Sequence, residues 1–129
     1  MQGKTILLVD DDQDFLDQLE PRLLADGFQV VRAEGQEAAE QVLLAGTHFD
    51  MAIVDLMMEY SDSGFVLCHR LKKADTNKPV ILVTGVTAET GLEFDAATSE
   101  ERRWVKADAM LAKPIRYEQL KREISRLLA

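Results

Sequence analysis

Three consecutive acids, Asp10, Asp11 and Asp12, follow directly on the apolar run Ile6-Leu7-Leu8-Val9. Like charges stacked where a buried strand would surface repel one another unless a cation binds among them. Asp55 follows the apolar run Met51-Val54 in the same way, Thr84 follows Val80-Val83, and Lys113 follows Met110-Ala112. Carboxylate oxygens from two or three of the acids suit a Mg²⁺ ion that keeps several waters and completes its shell with phosphate oxygens. Asp55, alone on its run, is a candidate nucleophile toward phosphorus, giving an acyl phosphate. The Thr84 hydroxyl can donate to one phosphoryl oxygen, and Lys113 can neutralise another as a compact point charge.

These residues act together only if the elements that carry them converge. The runs Thr5-Val9, Met51-Val54, Val80-Val83 and Met110-Ala112 lack polar alternation, as expected of strands in a parallel sheet covered on both faces. Phe28-Arg32 reads as a shorter edge strand. Between them, Phe15, Leu16, Leu19, Leu23 and Leu24 form one helical stripe that stops before Gly27, with Pro21 expected to kink or split it near Asp17. Ala38, Ala39, Val42 and Leu43 mark a second helix ended by Gly46, and Phe65, Leu67, Cys68 and Leu71 a third, capped by Asp62 or Ser63. Tyr117, Leu120, Ile124, Leu127 and Leu128 face the core from the last helix. The stretch from Gly85 to Asp108 reads as an extended loop plus a short fourth helix near Ser99 to Ala107, anchored by Trp104. Strands alternating with helices predict a doubly wound α/β domain, in which all the strand ends bearing chemistry emerge on one edge.

A chain of 129 residues is one ordinary domain with room for a real core. Fifteen basic against 23 acidic residues give a net charge of −8 with no basic cluster, which disfavours direct nucleic-acid binding and anionic membranes. No apolar stretch approaches a membrane span, and the polar start Met1-Gln2-Gly3-Lys4 is no signal peptide, so a cytoplasmic location is expected. Cys68, the sole cysteine, reads as a core residue, its neighbour His69 as solvent-facing and His48 as a loop residue. Asp12 reads either as a further metal ligand or as a helix N-cap.

The blocks ILLVDDDQDF, AIVDLMM with Gly64-Phe65 downstream, PVILVTG and LAKP, in that order, resemble bacterial two-component response-regulator receiver domains of the CheY-like superfamily. The resemblance covers essentially the whole chain. It implies a flavodoxin-like doubly wound five-stranded parallel sheet of order 2-1-3-4-5 flanked by about five helices, with residues 1–129 as a single receiver and no output domain in this chain. It further implies that Asp10 and Asp11 bind Mg²⁺, that Asp55 is the phosphoacceptor and metal ligand, and that Met57 adds a backbone carbonyl. Thr84 would be the switch hydroxyl, and Lys113 would precede Pro114 through a cis bond. The implied phosphoryl donor is a sensor histidine kinase or phosphotransfer protein, and the reader an unidentified downstream protein. Such a domain is no enzyme beyond catalysing its own phosphorylation and dephosphorylation, and a monomer or weak dimer is expected.

Some positions depart from the family pattern. The segment from Met57 to Gly64 lacks the usual proline and is slightly long, Met110 stands where an aromatic switch residue is usual, and the stretch between Thr84 and Lys113 is extended. The two positions that usually tune hydrolysis in the family are the apolar Met57 and Val86, neither of which can orient a water, so slow autodephosphorylation is expected. Asp10, Asp12 and Asp14 also begin like an EF-hand loop, but Phe15 and Pro21 stand where that loop needs Gly and Glu. Two alternative functions stand beside that of a phosphorylated receiver: a receiver-like scaffold that binds partners without phosphorylation, and a Mg²⁺-dependent aspartyl phosphatase, for whose usual core and cap the chain has no room.

Overall fold

The computed structural model describes residues 3–55, 63–74, 77–84 and 108–128. Strands β1 (Thr5–Val9), β2 (Gln29–Ala33), β3 (Met51–Asp55), β4 (Val80–Thr84) and β5 (Ala109–Ala112) form one five-stranded parallel sheet in the order β2-β1-β3-β4-β5. Helices α1 (Gln13–Ala25), α2 (Gln36–Leu44), α3 (Ser63–Ala74) and α4 (Tyr117–Leu128) cover it. This is the flavodoxin-like order that the resemblance to receiver domains implies. The helix expected near Ser99 to Ala107, Trp104, Asp62, Met57 and Val86 lie outside the described residues.

Alternation along the strands sorts their side chains onto two faces. Ile6, Leu8, Met51, Ile53, Ile81, Val83 and Leu111 pack with Leu16, Leu19 and Leu23 of α1 and Leu120 and Ile124 of α4. Leu7, Val9, Ala52, Val54, Val80 and Leu82 pack on the other face with Ala39 of α2 and Leu67, Cys68 and Leu71 of α3. Burial on both faces explains why β1, β3 and β4 are buried throughout and apolar apart from Thr5, Asp55 and Thr84 at their ends, while the edge strands β2 and β5 are partly exposed. Each fully buried leucine in these layers contributes about 1.5–3 kcal/mol relative to exposure.

Gly27, at φ 92°, ends α1 in a left-handed turn that few other residues tolerate. Its N–H donates to Leu24 O at 3.0 Å, and the Phe28 N–H donates to Leu23 O at 3.1 Å. With that donor committed to the cap, the ladder starts at Gln29, one residue later than the sequence pattern suggests. Gly46, at φ 70°, closes α2 in the same manner. Of the kink or split expected near Asp17, the split does not occur: α1 is one helix with Pro21 inside it, and its buried leucines lie on both sides of the lost hydrogen bond. Leu24, expected on the buried stripe, is 51% exposed, because Leu16, Leu19 and Leu23 already occupy the line facing the sheet.

Candidate functional site

The register sets Val9 beside Val54, Asp55 beside Val83, and Thr84 beside Ala112. Asp10, Asp55, Thr84 and Lys113 therefore end or follow four adjacent strands at the carboxyl edge of the sheet. Asp10, Asp55 and Lys113 share the parity of Ile6, Met51 and Leu111, which assigns them to the face covered by α1 and α4.

Asp10 is fully buried and Asp55 is 5% exposed, while Asp11 reaches solvent. One carboxylate oxygen from each lies within 4.8 Å of the others. Asp10 Oδ1 accepts the Asp12 N–H at 2.9 Å, and Asp12 Oδ1 accepts the Phe15 N–H at 3.3 Å. Asp12 is thus the N-cap of α1, the second of the two readings its sequence allowed. Lys113 Nζ lies 2.8 Å from Asp10 Oδ2 and 4.0 Å from Asp55 Oδ1. The same ammonium sits 4.4 Å from the centre of the Phe15 ring. The Lys113 N–H donates to Thr84 O at 2.7 Å, joining the tips of β4 and β5, and the Lys113-Pro114 bond is cis. Thr84 itself is 5% exposed.

The structure thus brings Asp10, Asp11, Asp55 and Lys113 together and sets Thr84 on the neighbouring strand end. Lys113 meets Asp10 and Asp55, so among the described residues three clustered carboxylates face one ammonium and the cluster carries surplus negative charge in a partly desolvated position. Asp10 Oδ2 is buried and, despite its charge contact with Lys113, has no aligned hydrogen-bond donor. A buried carboxylate, a second nearly buried one and an exposed third suit a hard divalent cation that retains water on its open side.

Beside the cluster, a groove of about 690 Å³ runs between α1 and the start of α4, with Phe15, Lys113 and Tyr117 among its walls. The Tyr117 hydroxyl donates to Asp26 and to Arg22 O, which holds α4 on the end of α1. That hydrogen bond keeps the Asp26 carboxyl below the usual carboxylate range, assisted by Lys121, while burial and the Asp26 contact push the Tyr117 phenol up. Sequence reasoning placed Phe15 only in the core stripe and missed its contact with Lys113. The available signal was its place in the first helical turn, from which side chains lean back toward the helix start.

Residues 6–125 match the family model described as the response regulator receiver domain. The chain belongs to that family. It is 33% identical over 132 residues to the transcriptional regulatory protein GltR of Pseudomonas aeruginosa, covering 98% of this chain and 49% of that protein. It is 34% identical over 101 residues to the probable transcriptional regulator ycf27 of Porphyridium aerugineum, covering 74% of this chain and 40% of the relative. The receiver chain therefore spans half or less of the length of these curated relatives. Among solved structures, the response regulator TrrA of Thermotoga maritima in complex with Mg²⁺-BeF superposes with TM-score 0.77 at 25% identity, covering 97% of this chain and 99% of that one. A CheY-like receiver domain protein of Methanospirillum hungatei gives TM-score 0.80 at 25% identity over 98% and 94% of the two chains. The protein is a receiver domain of a response regulator of two-component systems. No helix among the described residues is long and apolar enough to cross a membrane.

Proposed function

We propose that this receiver takes a phosphoryl group onto Asp55 from a histidine kinase or phosphotransfer protein and that the modification switches the binding of a downstream protein. The observation that carries this reading is the cluster of Asp10, Asp11 and Asp55, with Lys113 placed between Asp10 and Asp55. A Mg²⁺ held by Asp10, Asp11, Asp55 and the Met57 carbonyl would supply positive charge to the phosphoryl oxygens. An Asp55 carboxylate oxygen attacks phosphorus in line; the new P–O bond forms as the P–N bond to the donor imidazole breaks, and the imidazole leaves with the electron pair. Lys113 moves the short distance from Asp10 toward the phosphoryl group and offsets its charge, and the Thr84 hydroxyl donates to a phosphoryl oxygen. Drawing Thr84 toward the phosphoryl group shifts the segment after β4 between two arrangements that a partner distinguishes. Residues 1–129 act as one receiver unit in the cytoplasm, as a monomer or weak dimer.

The off-step is slow, because Met57 and Val86 offer an attacking water no polar anchor. A partner phosphatase or return of the group to the kinase then resets the switch. Incubation with Mg²⁺ and acetyl phosphate, followed by intact mass, tests the reading. The expected result is one phosphoryl adduct that does not form when the metal is chelated beforehand or in Asp55→Asn, and that decays far more slowly than seconds. No adduct with any small phosphodonor or kinase would favour a phosphorylation-independent scaffold. A half-life of seconds that polar substitution of Met57 leaves unchanged would overturn the slow off-step alone.

A further inference from the structure

The contacts around Asp10 close into a ring. Asp10 Oδ1 takes the Asp12 N–H, Asp12 Oδ1 takes the Phe15 N–H, the Phe15 ring faces Lys113 Nζ at 4.4 Å, and Lys113 Nζ returns to Asp10 Oδ2 at 2.8 Å. The two oxygens of one carboxylate are thereby linked through the first turn of α1 and an aromatic face. Lys113 lies between two acids but unequally: 2.8 Å from Asp10 and 4.0 Å from Asp55. Phe15 and Lys113 both line the groove beside the cluster.

We propose that Phe15 is a positioning residue for Lys113: its ring face holds the ammonium on Asp10, where it occupies the oxygen that a divalent cation needs. The proposal rests on the reading of Asp10 as a metal ligand. An ammonium over an aromatic face is attracted by the negative face of the ring and screened from water on that side. Lys113 so docked acts as an internal competitor of the metal. When a divalent cation claims Asp10, the lysine is released toward Asp55, where a phosphoryl group would need its charge. Phe15 thus makes binding of the metal and delivery of the lysine one exchange, and it sets how tightly the resting state is closed.

The consequence is counterintuitive for a residue beside a binding site, since removing the ring should tighten metal binding. Calorimetric titration of the whole chain with Mg²⁺ should show Phe15→Leu binding about two- to five-fold more tightly than the native protein, the range set by a partly exposed cation–π contact. Phe15→Trp and Phe15→Tyr should restore native affinity, because they keep the aromatic face. In Lys113→Ala, which removes the competitor, Phe15→Leu should change the affinity no further, so that the coupling lies between these two side chains. An unchanged or weaker affinity in Phe15→Leu overturns the proposal, as does the same tightening in the Lys113→Ala background. Absence of Mg²⁺ binding by the native chain overturns the metal reading and this proposal with it.

Discussion

Acidic side chains stand at both edges of the sheet, and they are treated oppositely. At the amino edge Asp50 Oδ2 accepts the Thr5 N–H at 2.7 Å, and Asp108 Oδ2 accepts the Val80 N–H at 2.8 Å. Asp108 also meets Lys72 Nζ at 2.6 Å, with the lysine almost wholly buried on α3. At the carboxyl edge Asp10, Asp11 and Asp55 meet one another and one lysine. At the starts of β1 and β4 a carboxylate accepts a strand N–H and ties neighbouring strands together, whereas at the ends of β1 and β3 carboxylates face one another across a position suited to a cation. The same residue type is structural at one edge and available for chemistry at the other.

The sharpest way to break this contrast is to remove one acid from each edge and compare the signs. Asp108→Ala strips Lys72 of a carboxylate and Val80 of an acceptor, and should cost about 3 kcal/mol in urea unfolding. Asp55→Asn relieves crowded negative charge and, in metal-free buffer, should raise stability by about 1 kcal/mol. Equal losses at both edges would show that the carboxyl-edge acids are structural too.

Next in size is a pH effect at the quiet edge. Cys68, one helical turn before Lys72, has its thiol pushed up to about 11 from an ordinary 9.0 by burial, with Asp108 adding to the rise and Lys72 opposing it. A raised value means that the folded state keeps its proton longer than the unfolded chain. The stabilisation is thus complete below pH ~9 and is lost as pH rises toward 11. Relative to Cys68→Ala, the native chain should lose about 2 kcal/mol by that upper limit in denaturant titrations. Parallel stability curves for the two chains would instead show the thiol to be open to solvent.

Much of this arrangement was legible in the sequence. Unbroken apolar runs ending in Asp10, Asp55, Thr84 and Lys113 identify buried parallel strands and the edge where their ends gather, since a parallel sheet leaves no other place for them. The N-cap role of Asp12 was one of two readings, and only the Phe15 N–H decides it. The Lys72–Asp108 pair was not legible. Lys72 falls within an amphipathic helical pattern, where a lysine reads as solvent-facing, and its partner arrives from the start of a distant strand. Phe15 was hidden because apolar spacing accounts for it fully as a core residue, and nothing in one-dimensional spacing reports which cation lies over its ring. At Pro21 the local rule left a kink or a split open, and burial of Leu16, Leu19 and Leu23 along α1 outweighs the lost hydrogen bond, so the helix is not split.

The central claim is that the carboxyl-edge cluster directs phosphoryl chemistry to one carboxylate among three. Phosphorylating the chain with acetyl phosphate and Mg²⁺, reducing the acyl phosphate with borohydride and mapping the reduced residue by peptide mass spectrometry tests it most directly. The account predicts reduction at Asp55 alone, with Asp10 and Asp11 unmodified. Label on Asp10, or spread over the acidic run, would contradict it and return the site to the aspartyl phosphatase reading.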